Sequence, residues 1–401
     1  MRKVVLVLFL ILVSAAVSLH PILAQSDTAP AGCIENFDAG VDYFPDKVTI
    51  DYASHLAIDY FNHYKVVTVS SPWVGAADVF SYVLVQCGAP IPEGFSMEQI
   101  VQIPVQRVVS LSTTYLPHLV ALDRLDTLIG VDSYLYVNTQ AVNNRIEAGL
   151  IAETGGSSSV NVEVMLDIEP DLVLTYGSGS PEYDAHPILI DAGIPVVLSA
   201  DWTETTPLGR AEWIKFTAAF FNAEAEAENA FDAIVDEYQA LVSLAESAQE
   251  KPLVLWGAYS AWGEAWYIPG GDSYAAQLLR DAGAIQVLGD DPAVAGQIGS
   301  VPFSFEVVYE AGLDADIWFA NVFAVDTIGA LIAENERYGD LAAVESGFVY
   351  NNDGRRNANG ATDYFETGVT NPQLILADLI AILHPELLPD HELAFFRQMP
   401  R

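Results

Sequence analysis

Residues 224–250 contain neither glycine nor proline and are rich in Ala, Glu and Leu, the strongest helix formers. Apolar residues recur there at Ala230, Phe231, Ile234, Tyr238, Leu241 and Leu244, which is helical spacing. Asn222 can cap the start and Pro252 bars any continuation of the helix. A helix of this length would span about 40 Å, the width of a small domain. Similar blocks of alternating strand and helix patterns lie on either side. The spacing therefore predicts two α/β lobes joined by one long helix over 223–250, with a cleft between them.

With 401 residues and 51% hydrophobic content, the chain can build two or three domains with large cores. The start reads as a signal peptide over residues 1–24. Arg2 and Lys3 precede an apolar run from Val4 to Val17, and Ile22-Leu23-Ala24 forms a candidate cleavage site. That run is shorter than the roughly 20 residues of a membrane span. The protein is expected to be exported, to a periplasm or the cell surface. Losing residues 1–24 removes two cations and no acid, so the net charge moves from −38 to −40. Such a surface excludes electrostatic binding of nucleic acid or anionic membranes. It suits a basic protein partner, or a saline or acidic habitat.

Cys33 and Cys87 are the only cysteines. In an exported chain one pair suggests a disulfide. A lipidated Cys33 competes, although Pro30 stands where a lipidation signal usually has Leu; two free thiols are the third reading.

Residues 25–104 read as a β-rich extension on the edge of the first lobe, with strands at 48–51, 55–60, 64–69 and 82–86 in an antiparallel hairpin pattern. From Arg107 short apolar runs suit buried parallel strands, at 107–111, 128–131, 171–175 and 194–198. Helices are expected through about Leu125 and over 208–221. This is the first lobe, 105–222. The second, 251–401, has strand patterns at 252–256, 285–288, 316–320 and 347–350, and helix patterns at 273–282, 305–309 and 372–383. The fold class is α/β with two Rossmann-like lobes. Asn161-x-Glu163 before Asp171-Leu-Val-Leu is echoed by Ser304-x-Glu306 before Asp316-Ile-Trp-Phe. Each is a cap followed by an early helix acid, a generic signal, but it recurs at the same place in both halves.

No pair of His has H-x-x-x-H spacing, and there is no C-x-x-C or Gly-x-Ser-x-Gly. The loop 177–180 lacks the Lys of a phosphate loop. The chain therefore reads as a binding protein rather than an enzyme, with no cofactor of its own. Aromatic residues at strand ends are the candidate ligand wall: Tyr259, Trp262 and Trp266 in the second lobe, Tyr176 and Trp202 in the first. Thr113 and Tyr115, in the first strand-to-helix loop, complete the first lobe's share. Arg356 in the loop 351–359 could hold an anionic group, or form a structural ion pair.

The stretches 104–111, 163–174 and 372–387, the last ending in Leu-His-Pro-Glu-Leu, resemble the substrate-binding proteins of ABC importers for iron–siderophore complexes and vitamin B12. The resemblance covers about Lys47 to Arg397. It implies the two-lobe fold with a rigid connecting helix. It implies a monomer that carries a small-molecule metal chelate, a ferric siderophore first and a corrinoid or haem second. It also implies an ABC permease as partner, docked through Glu163 and Glu306. A direct metal-ion binder would need several His at strand ends. The extension holding Cys33 and Cys87 is longer than is usual at this family's start.

Overall fold

A computed structural model describes residues 32–401; the signal-peptide reading of residues 1–24 lies outside the described residues. The extension forms a four-stranded sheet in sequence order: β1 Leu56–Tyr60, β2 Tyr64–Ser70, β3 Val79–Gln86 and β4 Ile100–Ile103. The hairpin pattern holds for β1 to β3, but β4 runs parallel to β3. Cys33 and Cys87 form a disulfide. A sulfur in that bond cannot also carry a lipid thioether.

The expected strand at 48–51 does not form. Its neighbourhood is held by carboxylates instead of a ladder. Buried Glu212 accepts from the backbone N–H groups of Asp51, Tyr52 and Ala53 at 2.7–2.9 Å. Buried Glu204 accepts from those of Ser54 and His55. Buried Lys65 on β2 pairs with Glu224 at the start of the connecting helix, and also donates to the Ala219 carbonyl at 2.9 Å. These contacts make the extension part of the first lobe's packing.

The first lobe is a five-stranded, fully parallel sheet: β5 Val108–Ser110, β6 Leu128–Val131, β7 Ala152–Glu153, β8 Leu172–Tyr176 and β9 Val196–Ser199. Its order is β7-β6-β5-β8-β9. The order reverses between β5 and β8, where an open α/β sheet leaves a crevice at its carboxyl edge. The first helix, Leu116–Ala121, stops short of Leu125, and the expected helix over 208–221 is two pieces, Pro207–Ala211 and Ile214–Ala219.

The connecting helix runs Glu224–Ala245. It buries Ala227, Phe231, Ile234, Tyr238 and Ala245 along one stripe. Each large side chain contributes about 2 kcal/mol by leaving water. Asn222 is not its cap. Its backbone is left-handed (φ 53°), and its side chain bridges Lys65 and Gln86. The Tyr238 hydroxyl donates to Asp281 at 2.6 Å, tying the helix to the second lobe. The closing helix Pro372–Leu383 packs alongside it.

The second lobe comprises β10 Leu253–Trp256, β11 Tyr259–Ser260, β12 Ala265–Pro269, β13 Ile285–Gln286, β14 Ser300–Phe303, β15 Ile317–Phe319, β16 Val349–Asn351 and β17 Arg397–Gln398. Its main sheet, β13-β10-β15-β16-β17, is parallel except for the edge strand β17. A small antiparallel sheet, β11-β12-β14, was not anticipated from the sequence. The lobes are also fastened directly. Buried Glu366 accepts from the backbone N–H groups of Asn138 and Thr139 at 2.7 Å, and Asn357 donates to the carbonyls of Leu135 and Val137 at 2.9 and 3.0 Å.

His118 is buried between helices Leu116–Ala121 and Ile214–Ala219, with Nδ1 3.0 Å from the Thr217 hydroxyl and Nε2 without a partner. Burial depresses its pKa from 6.5 to about 3. The unfolded chain therefore binds a proton below about pH 6.5 that the folded chain refuses until about pH 3. The stability this group supports is complete above pH 6.5 and falls as pH drops, by up to about 1.4 kcal/mol per unit. Denaturant titrations at pH 7 and pH 4 should show a smaller difference for His118→Gln than for the parent protein. An equal difference would mean that His118 protonates freely in the folded state.

Candidate ligand-binding site

The carboxyl edge of the first lobe's sheet forms the floor of a concavity of about 690 Å³. Successive strand ends supply its lining: Leu111 after β5, Asp132 after β6, Glu153 at the end of β7 and Tyr176 at the end of β8. Short apolar strands bury their bodies and release their last residues to the edge, so consecutive strands aim side chains at one place. The loop after β7 closes one side. It requires Gly155, which is left-handed (φ 67°) and whose Cβ would lie 2.4 Å from the Ser159 carbonyl oxygen. The Tyr176 hydroxyl meets Ser157 Oγ at 3.2 Å. Glu153 accepts from Ser133 Oγ and the Tyr134 N–H, both at 2.9 Å. Asp132 Oδ1 is shielded from water and has no partner. Burial, and to a lesser extent the Glu153 charge, raises the Asp132 pKa.

The anticipated ligand residues divide. Tyr176 and Trp202 are partly exposed at the ends of β8 and β9, and Trp262 is 98% exposed at the β11–β12 turn. Tyr259 is half-buried on β11, edge-to-face with Phe305. Thr113 is half-buried on a turn that packs against helix Thr367–Thr370 of the second lobe.

Two residues are corrected. Tyr115 is buried, its hydroxyl donating to the Thr175 carbonyl at 3.3 Å, and burial raises its pKa well above 10. Trp266 is fully buried and donates to the Trp256 carbonyl at 3.1 Å. Its place on β12 explains this, because strand alternation turns Trp266 inward and Tyr267 outward. Neither can touch a ligand without unpacking a lobe.

Arg356 is neutralised. It pairs with Asp326 at 2.9 Å and Asp353 at 3.3 Å, and Arg397 joins the same two carboxylates. It lines a larger crevice between the lobes, about 1010 Å³, bounded by Pro117, Thr139, Asn143 and Asn371. That crevice is walled by helix flanks and the loop 354–359, and Asn357 bridges it to the first lobe, so the strand-end concavity is the better ligand position. Asp132, Glu153, Tyr136 and exposed Phe323, which follows β15, were not anticipated. Three of the four lie within four residues after an apolar strand run or at its last residue, which was the available signal; Tyr136 lies in the loop beyond Asp132.

Glu163 and Glu306 are both exposed in the first turns of helices Val162–Ile168 and Phe305–Gly312. Each helix leads into a parallel strand, so its start lies toward the carboxyl edge of its lobe. Glu163 has no ion-pair partner among the described residues, and Glu306 meets exposed Arg337 at 3.4 Å. No group of three or more His, Cys, Asp or Glu side chains among the described residues is placed to hold a bare metal ion. None of their helices is long and apolar enough to cross a membrane.

The sequence pattern of the periplasmic binding protein family matches residues 108–355. The chain belongs to that family. Members of this family are the substrate-binding components of ABC importers, matching the resemblance read from the sequence. This member is 27% identical to an uncharacterized lipoprotein of Methanocaldococcus jannaschii, over 74% of this chain and 70% of that protein. Its fold is similar to that of a periplasmic haem-binding protein from Pseudomonas aeruginosa, with a TM-score of 0.53 and 21% identity over 70% of this chain and 93% of the other. It is similar also to the molybdate-binding protein of a Haemophilus influenzae ABC transporter, with a TM-score of 0.52 and 19% identity over 72% and 89% of the two chains. Neighbours with such different ligands establish the two-lobe fold of this periplasmic binding protein, while its cargo must be argued from its own residues.

Proposed function

We propose that this protein captures a ferric siderophore complex outside the cytoplasm and delivers it to an ABC importer by docking through Glu163 and Glu306. The supporting observation is the set of aromatic side chains held open to solvent at strand and hairpin ends of both lobes. Tyr136, Tyr176 and Trp202 are exposed on the first lobe, Trp262 and Phe323 on the second. Exposed rings at the carboxyl edges of α/β lobes suit a bulky chelate with apolar flanks. A corrinoid or haem is the second reading, since the same rings would stack on a flat macrocycle. No bond in the cargo is made or broken.

Seven tryptophans provide the readout. Their fluorescence should be quenched saturably by a ferric siderophore at sub-micromolar concentration, with an inner-filter control and calorimetry as a second measure. Binding of only a corrinoid or haem would replace the cargo. Failure of ferric siderophores, corrinoids and haem alike would end the metal-chelate reading.

A further inference from the structure

We propose that the first-lobe concavity selects a cargo that is neutral or positively charged and presents N–H or ammonium donors to Asp132 and Glu153. This deepens the proposed chelate function and rests on it. The concavity holds two carboxylates and no Lys or Arg. Asp132 Oδ1 is withdrawn from water and has no hydrogen-bond partner, although the backbone N–H groups of Asp132 and Ser133 approach the same carboxyl. An unmet carboxylate oxygen of this kind is costly and is relieved by a donor arriving with the ligand. Burial raises the Asp132 pKa, and a neighbouring cation would favour its charged form. Glu153 uses one oxygen on Ser133 and Tyr134, leaving the other without a hydrogen bond. Tyr136 and Tyr176 line the same concavity, and aromatic faces favour cations.

The rest of the molecule points the same way. Arg356 and Arg397 are spent on Asp326 and Asp353, and Arg355 on Asp363 at 3.4 Å. A polyanionic chelate would thus meet two carboxylates, no free guanidinium in that loop and a chain of net charge −38. A cationic one would be drawn in by the same field.

The probes are two ferric complexes of similar size, a trihydroxamate carrying a protonated amine (monocationic) and a tris-catecholate (trianionic). The intact protein should bind the first at least about tenfold more tightly, and added salt should weaken that binding. In the double variant Asp132→Asn, Glu153→Gln the preference should shrink toward unity. Gln keeps the carbonyl that Ser133 and Tyr134 require, and the melting temperature checks that the variant folds. If the double variant does not fold, the single variant Glu153→Gln, at an exposed side chain, takes its place, and an undiminished preference there overturns the proposal. A preference for the tris-catecholate, or a cationic preference untouched by salt and by the double variant, overturns the charge selection and leaves the siderophore reading standing. Binding of neither complex, with no corrinoid or haem binding, overturns both.

Discussion

Replacing Glu163 and Glu306 together by Ala should leave cargo affinity unchanged and collapse uptake through the permease. Both side chains are exposed, one on each lobe, at the starts of helices that open toward the carboxyl edge. Neither lines the concavity. The Glu306–Arg337 contact is an exposed pair worth under about 1 kcal/mol, easily exchanged for a permease arginine. A charge-assisted contact contributes about 1.5–3 kcal/mol, so two of them support about a hundredfold or more in docking affinity. Uptake of labelled cargo into vesicles holding the permease, run beside a fluorescence titration, separates the two effects. Full uptake by the double variant would remove these residues from docking. Loss of cargo binding would show that they belong to the ligand site instead.

Glu212→Ala should cause a large loss of stability for a single change, about 3–5 kcal/mol by denaturant titration. Its side chain is wholly buried and accepts three backbone N–H groups from residues more than 150 positions earlier, and a salt bridge from Lys215 at 3.0 Å. Ala strands those donors in the interior and leaves Lys215 with Glu228 and the Thr49 carbonyl. Glu212→Gln, which keeps an acceptor, should recover part of the loss. A change under about 1 kcal/mol for the Ala variant would show that segment 49–55 is held by other contacts.

Where pattern and packing agree, the sequence was legible. Leu128–Val131 and Pro372–Leu383 form with the bounds the sequence suggested, because a short apolar run between polar ends suits a buried strand and an Asn-Pro start suits a helix. It was misleading where distant groups decide. Residues 48–51 are β-branched enough for a strand, yet Glu212, far along the chain, takes the neighbouring N–H groups. Trp262 and Trp266 looked equivalent between glycines. The β11–β12 pairing sends one to solvent and the other to the core. Asp132 was hard to pick from 54 acids: its place just after a strand run was the only signal, and the missing partner of its Oδ1 is set by the fold. Arg356 was visible as a rare cation, but the two aspartates that absorb it are set by the fold.

The Glu366 and Asn357 contacts fasten the lobes to each other in addition to the connecting helix. If two fastenings hold the lobes at one angle, the molecule presents nearly the same outline empty and full. A permease that recognises the outline alone cannot tell a delivery from an empty carrier, because equal affinity for two states shifts nothing between them. Unloaded copies would then queue at the same dock. Raising their number at fixed cargo should slow transport rather than speed it, and the cell's ratio of carriers to importers becomes a setting on the rate of supply.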